Sequence, residues 1–198
     1  MATLRICVIA LSAVGILVCE SGARPGKYRG TSVSAVHIEV FSDFQCPACK
    51  TLHEQTVKPL IADYVDRGKV YLVNREFPLP MHPYAREAAC YACAAERVGK
   101  YEQTADALFA AQEVWSKNGK VAETVMSVLS PAEVKQVRAL AKSPEITAEV
   151  DRDVQAGQAN RIQQTPTMIV THKGKTYPVS GVVSYPILRR FIDQLLTQ

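Results

Sequence analysis

The feature that most constrains this chain is a pair of cysteines, Cys46 and Cys49, set where one periodicity gives way to another. Before them Val36, Ile38 and Val40 alternate with His37 and Glu39, the pattern of a strand with one apolar face. After them Cys49, Leu52, Leu60, Ile61, Tyr64 and Val65 form an apolar stripe, which predicts a helix from about Pro47 to Asp66, kinked at Pro59 and ended by Gly68. A C-x-x-C between strand and helix puts Cys46 at the helix N-terminus, where unpaired amides and the helix dipole favour a thiolate. Cys49, one turn further in, is better shielded and near enough to close a disulfide. Cys46 is thus expected to be the exposed, attacking sulfur and Cys49 the resolving one, with exchange running through a mixed disulfide. A structural disulfide and half of a metal site compete with this reading, because the motif is short.

The remaining signals supply a context for it. Lys69 to Phe77 alternates as a second strand, closed by Pro78 and Pro80. From Tyr84 to about Arg161 the pattern is helical, with Ala-rich stretches over Ala85 to Val98 and Tyr101 to Trp115. Ser130-Pro131-Ala132-Glu133 reads as a capping box, and Ser143-Pro144-Glu145 opens another helix in the same way. Thr167 to Thr171 and Thr176 to Val179 form a hairpin around Lys173-Gly174. Ser184 is placed to cap a last helix that buries Ile187, Leu188, Phe191, Ile192 and Leu195. The order is strand, helix, strand, helical block, hairpin, helix: an α/β domain with a mixed sheet and an inserted all-helical part. Pro166 stands at the start of a strand, where an ordinary trans proline on a strand edge competes with a cis Thr165–Pro166 bond; the C-x-x-C between strand and helix favours the cis form.

The first segment reads as an address. Arg5 precedes an apolar run from Ile6 to Val18, which as a helix spans about 20 Å, short of the roughly 30 Å of a bilayer core. Ser21-Gly22-Ala23 completes a secretory signal peptide cleaved near Ala23, removing Cys7 and Cys19. An uncleaved membrane anchor is the alternative; lipid attachment at Cys19 is disfavoured by Val18. The four remaining cysteines, as two C-x-x-C pairs, would then lie in an oxidising compartment. Arg24 to Ser34 is polar and holds Pro25 and two glycines, which predicts a flexible tether. With 198 residues, 47% of them hydrophobic, and 23 basic against 19 acidic side chains, the chain can bury a real core. It carries no basic run that would suit a nucleic acid.

Several stretches together resemble one family. Phe41-Ser42-Asp43-Phe44-Gln45-Cys46-Pro47-Ala48-Cys49, Tyr64-Val65-Asp66-Arg67-Gly68-Lys69-Val70 and Arg75-Glu76-Phe77-Pro78-Leu79 are similar to the DsbA-like thiol–disulfide oxidoreductases of thioredoxin fold. His82-Pro83-Tyr84-Ala85-Arg86-Glu87-Ala88-Ala89 resembles that family's first insertion helix, and Thr165-Pro166-Thr167 its cis-proline loop. The resemblance implies a thioredoxin-like part in two pieces, 36–81 and 162–198, around a helical insertion at 82–161, preceded by the signal at 1–23 and the tether at 24–35. It implies a redox-active Cys46–Cys49 pair, supported by Pro47, Ala48, Thr165 and Pro166, with no bound cofactor and no metal. The expected partners are cysteine-containing exported proteins and a membrane or soluble redox protein that resets the pair. The protein is expected to act as a monomer in the periplasm or outside the cell.

Two departures from the family pattern stand out. Thioredoxin-fold enzymes commonly carry a buried acid six residues before the first active-site cysteine, where this chain has Val40. Ala48 occupies the position at which the strongest oxidases of the family carry histidine, so a weaker oxidant is expected. A reductase or isomerase is the alternative within the enzymes, although isomerases of this type usually carry a dimerisation domain for which the tether leaves no room. A non-catalytic protein binding a peptide or a thiolate-held metal is the alternative outside them.

Cys90 and Cys93 are three residues apart on a predicted helix and share a face. A structural disulfide is the first expectation for them, then a redox relay to Cys46–Cys49, free buried thiols, and a four-thiolate metal site. His37, His53, His82 and His172 lack ligand spacing and read as ordinary histidines, although His82 and Asp43 fall near the site by family analogy. Trp115 reads as core.

Overall fold

The computed structural model describes residues 26–198. The leader and the first two tether residues lie outside the described residues. Strand β2 (Val36–Ser42) is the middle of a five-stranded sheet of order β1-β3-β2-β4-β5. Its neighbours are β3 (Val70–Glu76), parallel to it, and β4 (Thr167–His172), antiparallel. Strand β5 (Lys175–Ser180) returns from β4 as a hairpin and forms one edge, with Pro178 on it where a missing N–H is harmless.

The helical run after β2 is continuous but not uniform. Segments α1 (Pro47–Leu52) and α2 (Lys58–Leu60) alternate with wider π turns at His53–Val57 and Ile61–Val65. The disruption expected at Pro59 takes the form of these i→i+5 turns on either side of it. Val36, Ile38 and Val40 of β2 pack beneath Leu52, Leu60 and Val65, and beneath Leu188, Ile192 and Leu195 of the last helix, α9 (Tyr185–Leu196). Phe41, on the opposite face, joins Phe77 and Ile169 against α8 (Pro144–Ala159). Gly157 makes that approach possible: a Cβ there would stand 2.4 Å from the Phe77 ring.

Between β3 and β4 run α3 (Ala85–Glu96), α4 (Tyr101–Ala110), α5 (Gln112–Asn118), α6 (Val121–Met126), α7 (Pro131–Leu140) and α8. Helix α3 is buried nearly all round, which its run of alanines permits. Ser130 and Glu133 form the reciprocal capping box, and Ser143 accepts from the Ile146 amide. Trp115 is fully buried, its indole N–H donating to the Leu108 carbonyl at 2.7 Å.

Four expectations need correction. The segment read as a tether is docked from Gly26 onward. Tyr28–Arg29 forms β1 against β3, and the Asn74 amide donates to the Lys27 carbonyl at 2.9 Å. Lys27 is fully buried, with Nζ 2.8 Å from Glu149 and 2.6 Å from Asp153. Its polarity reflects acids waiting in the interior rather than solvent. The helix expected over Tyr101 to Trp115 breaks at Ala111, which turns α5 so that Gln112 and Trp115 both face inward. Ser184 stands at the cap position of α9, but its side chain makes no capping bond; Pro186 has removed one of the amides a cap would serve. Ile187 is 58% exposed, because the helical period keeps Leu188, Ile192 and Leu195 inward and carries Ile187 off that stripe.

Candidate active site

Cys46 ends the loop after β2 and is the N-cap residue of α1, in extended conformation and without a side-chain cap bond. Pro47 takes the first helical position, where its missing N–H costs nothing. The Cys46 carbonyl accepts from the Cys49 and Lys50 amides, which closes the first turn. Cys46 is 8% exposed and Cys49 1% exposed, so the first sulfur is the more accessible but less open than its place in the sequence suggests.

The two thiols are driven apart electrostatically. Cys46 is lowered to about 5, foremost because the Cys49 thiol donates to it and then because the Cys49 and Ala48 amides do, against the opposing effect of burial. Cys49 is pushed far up by burial, and further by its neighbour Cys46. The Thr165–Pro166 peptide is cis and lies alongside, with Cys46 Sγ 3.5 Å from the Thr165 carbonyl oxygen. The Thr165 hydroxyl is buried and has no other partner among the described residues, so it can turn its proton to the Cys46 thiolate. The arrangement presents one acidic sulfur at a surface and holds a protonated one behind it.

Asp43 and His82, expected near the site by family analogy, and Gln112, which the sequence did not single out, hold this loop in place. Asp43, fully buried, accepts from the Gln45 amide at 2.7 Å and the Leu79 amide at 2.8 Å, and its Oδ2 meets His82 Nδ1 at 2.7 Å. Its own amide donates to Cys49 Sγ at 3.4 Å. Gln112 reaches from α5 to donate to the carbonyls of Phe44 and Cys46 at 2.6 and 3.0 Å. Asp43 belongs to the quoted motif, whereas nothing local marks Gln112, whose partners are far away in the chain.

Cys90 and Cys93 lie in the middle of α3, and their sulfurs are free thiols, as are those of Cys46 and Cys49. Cys93 is fully buried with Lys27 Nζ 3.4 Å from its sulfur. Burial pushes both thiols upward, Cys93 well beyond its ordinary value. Among the described residues no group of three or more His, Cys, Asp or Glu is placed to hold a metal ion.

A family model described as thioredoxin matches residues 23–194. The chain belongs to the thioredoxin family. A probable disulfide bond formation protein D of Bacillus anthracis is 27% identical over 150 residues, covering 71% of this chain and 67% of the relative. A thioredoxin-like oxidoreductase from Silicibacter pomeroyi superposes with a TM-score of 0.68 at 26% identity, covering 86% of this chain and 92% of that one. The alpha-DsbA1 of Wolbachia pipientis also gives 0.68, at 19% identity over 86% of this chain and 90% of that one, a likeness of fold. This member is a DsbA-like protein disulfide oxidoreductase, its mixed sheet interrupted by α3 to α8.

Proposed function

We propose that this oxidoreductase is exported and exchanges disulfides with cysteine-containing exported proteins, using Cys46 as nucleophile and Cys49 as resolving thiol. The observation that carries this is the split between the two sulfurs: Cys46 lowered to about 5, Cys49 raised and buried behind it. In the oxidising direction a client thiolate attacks Cys46 Sγ and the Cys46–Cys49 bond breaks, leaving its electron pair on Cys49. The client's second thiolate then attacks its own sulfur in the mixed disulfide and releases Cys46 as a thiolate. Thr165 and Pro166 border the sulfur under attack, so they position the client backbone. A membrane or soluble redox partner would reoxidise the pair, and the electrons need no bound cofactor because the two sulfurs carry them.

Export rests on the apolar run from Ile6 to Val18 and on the oxidising setting that a working disulfide donor requires. No helix among the described residues is long and apolar enough to cross a membrane. A monomer suffices for the chemistry, since one chain supplies both cysteines and Pro166.

The strength of the oxidant follows from the same split. A nucleophilic thiol near 5 lies between about 7 for thioredoxin and about 3.5 for DsbA. The reduction potential is therefore expected between about −270 and −120 mV. Equilibration with glutathione measures it. A potential of about −120 mV or above would overturn the expectation attached to Ala48. Failure of the Cys49→Ser protein to trap a mixed disulfide on Cys46 would overturn the reaction itself.

A further inference from the structure

Cys49 is 1% exposed, yet its protonation changes in each half of the exchange cycle, as leaving group in one direction and as attacking thiolate in the other. A small cavity of about 30 Å³ lies beside it, with room for about two water molecules. Its polar lining is Ser42, whose hydroxyl meets the Cys49 sulfur, together with Arg29, His53, Asn74, Tyr101 and Glu102. Val40 contributes an apolar wall and no proton.

Of these side-chain types imidazole is the ordinary proton carrier at physiological pH, and the other titratable groups are engaged elsewhere. Glu102 is bound to Arg29 at 2.6 Å, and Arg29 also grips Asp66. The Tyr101 hydroxyl is committed to Glu76 at 2.7 Å. His53 follows Cys49 by one turn, its amide donating to the Cys49 carbonyl, so both side chains lie on the cavity side of the helix. Its Nε2 stands 2.7 Å from Asp106 Oδ1, and its ring packs 4.8 Å from that of Phe109. Asp106 also meets Lys58 at 2.9 Å; His53 and Lys58 hold its carboxyl below the usual range although burial opposes this. A fixed carboxylate on Nε2 orients the imidazole, and Nδ1 has no hydrogen-bond partner among the described residues. The charged and titratable groups facing His53 and the cavity are therefore Asp106, Glu102 and Tyr101 from α4, Arg29 from β1, and Lys58 and Cys49 from its own helical run.

We propose that His53, oriented by Asp106, gives and takes the Cys49 proton through water in this cavity. The inference rests on the reading of Cys46–Cys49 as the exchanging pair and supplies its missing proton. When a client thiolate attacks Cys46 Sγ, the Cys46–Cys49 bond breaks and the electron pair settles on Cys49 Sγ. The proton moves from the His53 imidazolium through water to that sulfur, and bulk solvent reprotonates the imidazole. In the reverse direction His53 accepts the proton before Cys49 attacks Cys46. His53 touches no client atom; it is a positioning residue acting through Cys49.

The test follows, across the pH range, the single-turnover rate at which glutathione opens the oxidised pair. The wild type is expected to show a break between about pH 5 and 8, where an imidazole titrates. His53→Gln should lose that break and slow the step by about 100-fold, with Cys46 alkylation in the reduced protein unchanged. Asp106→Asn should keep the break but move it to lower pH, since the imidazolium loses its counter-charge. A His53→Gln protein that retains the wild-type rate and break overturns the proposal, as does uniform slowing with the break intact. Should His53→Gln not fold, an unshifted break in Asp106→Asn overturns it. A wild-type protein that never reacts with glutathione would instead sink the exchange reading, so the two failures are distinguishable.

Discussion

Two pairs of cysteines with the same spacing sit in this molecule, and only one of them holds a sulfur whose surroundings favour the thiolate. Cys46 and Cys49 straddle the start of a helix, where amide N–H groups and a second thiol point at the first sulfur. Cys90 and Cys93 lie in the interior of α3, where every amide is already engaged in the helix and burial only disfavours charge. Cys93 is instead a lid over a buried cation, 3.4 Å from the Lys27 ammonium. Burial pulls Lys27 down, but the carboxylates of Asp153 and Glu149, at 2.6 and 2.8 Å, outweigh it and keep the group charged. Spacing alone does not favour a thiolate in a C-x-x-C; position along the helix does.

The contrast breaks most directly under substitution. Cys46→Ser is expected to reduce exchange activity to background, whereas the double change Cys90→Ser with Cys93→Ser should leave turnover unchanged in a glutathione-coupled assay. Loss of turnover in a folded double variant would make the second pair a relay. The next largest effect is on reactivity. At pH 6 a thiol lowered to about 5 is mostly thiolate, so mild alkylation read by mass should mark Cys46 and spare Cys90 and Cys93. The same shift favours the folded reduced protein. Because Cys46 falls from an ordinary 9.0 to about 5, its contribution is complete above pH 9 and lost as pH falls through 5. Melting of the reduced wild type against Cys46→Ser across that window checks the sign.

Stability sharpens the comparison from the other side. Lys27→Met would remove the fully buried cation between Glu149 and Asp153, leaving Glu149 to Arg97 and Asp153 to Arg75, and unfolding in urea should register a loss of about 3 kcal/mol with the site chemistry intact. The double serine variant at positions 90 and 93 should cost less, about 1–3 kcal/mol, from hydroxyls buried in an apolar helix. A Lys27→Met protein as stable as the wild type would mean that the N-terminal strand is held only by its pairing with β3.

Most of the site was legible from the chain because it is local. The strand from Val36, the cysteines after it and the helix beyond are consecutive, so periodicity and a proline in the motif place Cys46 at a helix start. Thr165 and Pro166 were legible only in company with the C-x-x-C, since an ordinary trans proline at a strand edge would account for Pro166 taken alone. The docked segment around Lys27 was misread for a physical reason. A lysine among glycines looks solvated until three acids from β3 and α8, remote in sequence, are seen to surround it. Gln112 and the His53–Asp106 pair escaped notice on the same ground, since each earns its role only through a partner on another element.

What the sequence determined by itself was the order of elements and the identity of the two sulfurs that face each other across one helical turn. Backbone periodicity and helix-end geometry are set by neighbours a few residues apart. Tertiary structure alone decided which charges are buried, which thiols burial pushes upward and which cavity borders Cys49. Those properties depend on solvent exclusion and on Coulombic partners, which arise only when distant segments pack together.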